Sequence, residues 1–434
     1  MRFLFATVIW GKQYVDDFLA HSLPTQLAVG NLGDFPWAEG SAYLIMTTAE
    51  DKARLEASPL MRRLKRIMTV IYGDLSEIPL HNKYIGASMA QQEALKRAAD
   101  YDAIFFVYPD FICATGTIQY SAQKIIEGWD AVMFPVPAVL DTIFSDPAIR
   151  DSEVVTPSID GDIIAIPPRL LVEASMRNCH PMISGYFMGG QEKHNIGPAY
   201  MIWDVPECGW LFRCFHLHPF VIRVDRDNPY FLTEFIVSLD EEYVPRLFRS
   251  TDRIHFPECS DDFAMCSLRE QDSQPQPVDG PVRLDPIIYW AEEYASLVHR
   301  DFILRSFIWT PRSRHDVGAP EAWFEAIQKS NRTAEIIRER LNTPDSVLRF
   351  ENDMAYSART RRRRRFDKWR SPVFHEFAPH ETAARPTAQP PDEKVPADSI
   401  LGALMRLKQS TGLYKLRRFP ILLNAWLWLK TVLR

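Results

Sequence analysis

The sequence predicts an α/β protein built on a mostly parallel sheet with helices on both faces. Three observations carry this expectation. Short apolar runs alternate with helix-length stretches over the first 140 residues, as crossover connections require. The runs are continuously apolar, as in strands covered on both faces. Their carboxyl ends read "VIWGK", "MTTAED", "YGD" and "YPDF", and carry the polar residues Thr7, Thr48, Asp51, Asp74 and Asp110.

Taken in order, Phe3–Val8 reads as the first strand. Residues 13–27 have helical spacing through Val15, Phe18, Leu19 and Leu23, with Pro24 shortening the helix. Ala42–Thr47 is the second strand, 51–64 a helix and 68–71 the third strand. Residues 87–99, rich in Ala, Gln, Glu and Lys, form a good helix. Strand 103–107, helix 121–127 and strand 131–136 complete the pattern. Beyond it, 213–224 is β-like and aromatic, 271–286 is a loop, and 287–310 and 320–341 are helical. The expected division is 1–145 as a ligand-binding half and 146–270 as the region completing the site. A helical extension over 271–370, a Pro- and acid-rich linker over 371–399 and a basic amphipathic terminus over 400–434 follow.

The chain has 434 residues, 46% hydrophobic and 24% charged, which suits a globular protein with more than one core. The net charge is −6 but uneven. Residues 359–370 and 400–434 each carry +7 and 371–399 carry −3, leaving −17 on the first 358 residues. An acidic body with a basic tail points the tail at an anionic surface. In 400–434, Ile400, Leu404, Leu407 and Tyr414 recur near helical spacing among Arg406, Lys408, Lys415, Arg417 and Arg418, and Trp426 and Trp428 follow. That composition fits a helix lying on an anionic membrane. The basic run "RTRRRRRFDKWR" lacks any recognised nucleic-acid module, so nucleic acid is not expected. No segment offers about 18 uninterrupted apolar residues. The first residues lack a cleavage site and read as no signal peptide. The six cysteines form no C-x-x-C pair and read as reduced thiols of a cytosolic protein.

The first strand is followed by no G-x-G-x-x-G, and no P-loop is present. Asp110 in "YPDF" is either a turn residue or a ligand for a metal or a sugar hydroxyl. His216 and His218 in "FHLHP" are two apart, so a strand would point them to opposite faces. They are either packed aromatics, or one enters the site. His180 in "NCHP" either ends a helix before proline or joins them. A zinc site from Cys208, Cys214, His216 and His218 would have an unfamiliar spacing. Asp160 and Asp162 in "SIDGDII" are explained by a turn at Gly161.

The segments "WGKQYVDDFLAHSLPTQLAVGNL", "PDFICATGTIQYSAQKIIEGWDAVM", "PPRLLVEASMRNCHP" and "FHLHPF", together with "FFVYPDF" after the fourth strand, resemble a bacterial group of GT-A-type glycosyltransferases over roughly residues 1–245. The resemblance implies a Rossmann-related, GT-A-like fold and transfer of a sugar from a nucleotide-activated donor. The acceptor would be an envelope glycan or a lipid-linked molecule, met at the inner face of the membrane. It implies donor binding by Thr7, Trp10, Gly11, Thr48, Asp51 and Asp110. It also implies a divalent cation, Mn2+ or Mg2+, on Asp110 with His218, His216 or His180. The family's D-x-D motif is broken here, because Tyr108 stands where the first acid belongs. Asp240 in "VSLDEEY" is the candidate base for the acceptor hydroxyl. A metal-dependent hydrolase using Asp110, His180, His216 and His218, or a non-catalytic scaffold at a membrane, are the competing readings.

Overall fold

Strand β1 (Phe3–Val8) is buried along almost its whole length and is an interior strand of a seven-stranded sheet. The structure is a computed structural model. It describes residues 1–342 apart from positions 160, 196, 198, 236–237, 272–276 and 314–319. Asp160, the basic run 359–370, the linker 371–399 and the terminus 400–434 lie outside the described residues.

From β1 the chain turns through α1 (Lys12–Asp17) and a short helical stretch to β2 (Ala42–Thr47). It continues through α2 (Ala49–Ala57) and α3 (Pro59–Ile67) to β3 (Thr69–Asp74). One helix was expected over 51–64. It is two, because Ser58 caps a new helix that starts on Pro59. Then α4 (Lys83–Arg97), capped by Asn82, leads to β4 (Ala103–Phe106) on the other side of β1. After β5 (Phe111–Cys113), α5 (Thr117–Ile126) leads to β6 (Ala131–Phe134) and β7 (Ala138–Leu140).

Two strands of the sheet come from beyond residue 145. After α6 (Pro168–Arg177) and the antiparallel pair β8 (Tyr200–Val205) and β9 (Gly209–Cys214), strand β10 (His218–Arg223) inserts between β4 and β6. Then β11 (Ile254–His255) adds to β6. The order is β11-β6-β10-β4-β1-β2-β3, and β10 alone runs against the rest. The fold is therefore α/β with a mostly parallel central sheet flanked by helices. The expected boundary at 145 does not divide the sheet.

The remaining elements build a second layer. β12 (Met265–Arg269) joins β5 and β7 in a small sheet. A continuous helix was expected over 287–310. Instead α7 (Leu284–Tyr294) stops before Ser296, which caps α8 (Leu297–Phe302), and the aromatic β13 (Phe307–Trp309) pairs with β9. The closing helix α9 (Pro320–Leu341) is held by two buried arginines. Arg213 reaches the Ile303 carbonyl at 2.9 Å and Asn331, and Arg300 donates to the Leu341 carbonyl at the end of α9. Among the described residues no helix is long and apolar enough to cross a membrane.

Candidate active site

In an open parallel sheet, ligands gather outside the carboxyl ends of the strands where the order reverses. Here β1 has β2 on one side and β4 on the other, so the reversal lies between β1 and β4. Two segments leave the sheet there. One is Ile9–Gly11 after β1, and the other is Tyr108–Asp110 after β4.

The Tyr108–Asp110 segment is a tight turn, closed by the Phe111 N–H donating to the Tyr108 carbonyl at 3.2 Å. The turn expected from proline is real, yet it does not use up Asp110. The Asp110 carbonyl accepts from the Leu268 N–H at 2.8 Å, which brings the end of β12 alongside. Burial pushes the Asp110 carboxyl up, opposed by the charge of Arg269, its own backbone N–H and Lys83. Gln13, on α1, donates to Glu270 at 2.6 Å, and Asp17 follows one helical turn later. Burial pushes Asp17 up to about 6, with the charges of Asp110, Asp141 and Glu270 adding to the shift. Carboxylates and cations from four elements thus converge at the switch point. Perturbed groups in such a place mark a functional-site candidate.

Tyr108 is half-buried. Its ring packs edge-on against His218 at 4.8 Å and tilted on Phe111 at 4.8 Å, and its hydroxyl accepts from Gln91 at 3.1 Å. Burial raises its phenol, and the nearby charge of Asp240 adds to this. His218 arrives because β10 is antiparallel. Its first residue therefore lies at the carboxyl edge, opposite Phe134 of β6. The His218 Nε2 donates to the Phe106 carbonyl at 3.0 Å. Burial pulls this imidazole down to about 4, against that hydrogen bond and the Asp240 charge. Asp240 lies in the helical turn Leu239–Tyr243, which packs against β10. The His218 ring thus packs on Tyr108, and the charges of Asp240 and Asp110 both act on the Tyr108 phenol.

The other expected residues fall elsewhere. Thr48 and Asp51 are engaged with each other. The Thr48 hydroxyl donates to the Asp51 carboxylate at 2.9 Å and accepts from the Asp51 N–H at 3.1 Å. The same carboxylate accepts from the Gly11 N–H at 2.8 Å, so this group braces the loop after β1. Gly11 has φ 84°, which favours glycine. Trp10 lies against α4, where a Cβ added to Gly86 would meet its ring at 3.6 Å. Thr7 shares the face of Phe3 and Phe5. Its hydroxyl is buried without a hydrogen-bond partner, so it points into the core.

The four expected metal ligands do not converge. His180 is buried as a cap. Its Nδ1 accepts from the Met182 N–H at 3.2 Å and its Nε2 donates to the Glu270 carbonyl at 2.9 Å. His216 packs against Trp290 at 5.3 Å and His299 at 4.4 Å. His218 spends its Nε2 on Phe106. Among the described residues, no three His, Cys, Asp or Glu side chains are grouped to hold a metal ion. His180, His216 and His218 are thus each engaged with other groups of the fold, and no zinc set forms from Cys208, Cys214, His216 and His218 among the described residues.

Sequence reasoning missed Asp17, Lys83, Arg269 and Glu270. One signal was available. "MCSLRE" is an apolar run that ends in charge, the same signature that singled out "YPDF".

The neutral state of His218 has a consequence for stability. Its folded pKa lies below the ordinary value near 6.5, so its contribution is full above pH 6.5 and fades as pH falls toward 4. Between pH 7 and pH 5 this amounts to about 2 kcal/mol. Asp17, raised to about 6, works in the opposite sense. The His218→Gln protein is expected to gain about 2 kcal/mol relative to the parent between pH 7 and pH 5. Urea melts of both proteins at the two pH values measure it, and parallel pH profiles would contradict it.

The comparisons with known proteins add little. The chain is similar in part to TarS of S. aureus, with 13% identity and TM-score 0.24, over 40% of this chain and 38% of that one. It is also similar in part to the bifunctional glycosyltransferase WbbM in its apo form, with 12% identity and TM-score 0.22, over 38% of this chain and 27% of that one. The chain thus spans well under half the length of either, and overlaps this loose carry no argument. No family model and no curated protein matches the chain.

Proposed function

We propose that this protein transfers a sugar from a nucleotide-activated donor to a glycan or lipid-linked acceptor, with the donor bound at the switch point between β1 and β4. One observation carries the reading. Asp110 stands at that switch point, largely enclosed, with its charge opposed by Arg269 and Lys83 rather than sealed in an ion pair. The resemblance of residues 1–245 to GT-A-type enzymes supports it.

In this reading the Asp110 carboxylate accepts a hydrogen bond from a donor sugar hydroxyl. The Tyr108 and His218 rings form an apolar wall that excludes water. Asp240 takes the proton of the acceptor hydroxyl as the new bond to the anomeric carbon forms. The bond from that carbon to the diphosphate breaks, and the nucleoside diphosphate leaves with its electron pair. The hydrolase reading needs Asp110, His180, His216 and His218 around one ion, and the described residues contain no such grouping. The test is nucleoside diphosphate release from a panel of UDP-, GDP- and dTDP-sugars. Release from at least one is expected, and release from none would contradict the reading, with cleavage of a phosphate ester favouring the hydrolase instead.

We also propose that the terminus 400–434 carries the protein to an anionic membrane, as its basic and aromatic composition supports. Each basic residue near such a surface contributes roughly 1 kcal/mol. A chain ending at Ala397 is expected to lose most sedimentation with phosphatidylserine vesicles, and unchanged sedimentation would refute the proposal.

A further inference from the structure

The turn that carries Asp240 is held from behind by a histidine that the proposed chemistry does not use. His299 is fully buried in α8. Its ring makes two hydrogen bonds of opposite sense. Nδ1 accepts from the Ser296 N–H at 3.2 Å, reciprocating the Ser296 hydroxyl, which accepts from the His299 N–H at 3.3 Å. That fixes the proton on Nε2, which donates to the Asp240 carbonyl at 2.8 Å. The His216 ring lies 4.4 Å away, tilted by 51°, and its own Nε2 is buried without a partner. The hydrogen bond to the Asp240 carbonyl favours a charged ring, but burial outweighs it. Burial, and then the neighbouring His216, hold His299 well below its ordinary range.

We propose that His299 is the positioning residue for the base: its neutral ring pins the Asp240 carbonyl and so sets the direction of the Asp240 carboxylate at the carboxyl edge of the sheet. The proposal rests on the glycosyltransferase reading above. Three further contacts fix the same turn. The Ser238 hydroxyl accepts from the Glu241 N–H at 3.1 Å, the Tyr243 hydroxyl donates to the Phe231 carbonyl at 2.8 Å, and Glu242 pairs with Arg246. None of these three holds Asp240 itself. Losing the His299 bond would remove this tie to the Asp240 carbonyl and let the turn reorient.

The experiment measures nucleoside diphosphate release by the full chain, with UDP-glucose, UDP-N-acetylglucosamine and GDP-mannose as donors and water as acceptor. It compares His299→Leu, His299→Gln, Asp240→Asn and the double variant His299→Leu/Asp240→Asn. A misplacement of about 1 Å at a reacting group costs about 100-fold in rate. We expect kcat of His299→Leu to fall about 10- to 100-fold with the donor KM unchanged. His299→Gln, whose amide N–H reaches the same carbonyl, should recover most of that loss. The double variant should be no slower than Asp240→Asn, because both changes act through one carboxylate.

Wild-type kcat in folded His299→Leu, or multiplicative losses in the double variant, would overturn the proposal and leave the reading standing. So would Asp240→Asn turning over normally while Asp110→Asn does not. Should His299→Leu fail to fold, His299→Asn carries the same expectation, since its shorter amide cannot reach the carbonyl. No diphosphate release by the parent chain from any of the three donors would overturn the reading and the proposal together.

Discussion

Folded Asp110→Asn protein is expected to release nucleoside diphosphate roughly 100- to 1000-fold more slowly than the parent chain, a loss of about 2.7–4 kcal/mol of transition-state stabilisation. The substitution keeps the size of the side chain and one accepting oxygen. It removes the charge, which Arg269 and Lys83 oppose from the neighbouring β12 and α4. A residue that merely shaped the Tyr108–Phe111 turn would tolerate the amide, because the turn is closed by backbone groups. The rate is to be read beside the melting temperature. Near-parental turnover in a folded variant would make Asp110 a turn residue.

The largest effect on stability is expected at Gly209, the first residue of β9. Its φ is +140°, and an added Cβ would sit 2.1 Å from the Trp309 carbonyl oxygen and 3.0 Å from the Thr310 Cα. Those atoms cannot readily yield. Trp309 is buried and its indole N–H donates to Ser175 at 3.0 Å, while the Thr310 hydroxyl donates to the Cys208 carbonyl at 2.7 Å. Gly209→Ala must therefore push β13 off β9. The cost is expected to be at least about 3 kcal/mol, from overpacking and backbone strain together. In a domain of this size that lowers the melting temperature by roughly 4 °C. Gly128→Ala is the control. Its φ is +106°, but nothing lies within 4 Å of an added Cβ, so only backbone strain of about 1 kcal/mol applies. Equal melting temperatures for the two variants would contradict this account of the hairpin.

Much of the fold was legible because β1, β2 and β4 are short apolar runs bounded by polar residues. The limits read for Phe3–Val8 and Ala42–Thr47 are those observed. Asp110 was legible for the same reason, as charge that ends a buried run. What stayed hidden depends on pairings between distant residues. Nothing local to "FHLHPF" says that β10 will insert backwards between β4 and β6, yet that reversal alone delivers His218 to the carboxyl edge. Asp17 reads as an ordinary helix residue until β12 brings Glu270 against the same helix. Thr7 was placed at the edge by its position in sequence. The two-residue period of the strand puts its hydroxyl in the Phe3 and Phe5 layer instead. The metal set was legible as residue types but not as geometry. His180 is spent as a cap, and His216 is drawn into the layer of α7 and α8.

The most direct test of the central claim is the melting temperature of the parent chain and of Asp110→Asn, titrated with a panel of UDP-, GDP- and dTDP-sugars. A ligand at 100 times its dissociation constant adds about 2.7 kcal/mol to the folded state. The account predicts a saturable upward shift with at least one nucleotide sugar in the parent chain, and a much weaker one in Asp110→Asn. The same shift in both proteins, or none in the parent with any donor, would contradict a nucleotide-sugar site at the end of β4.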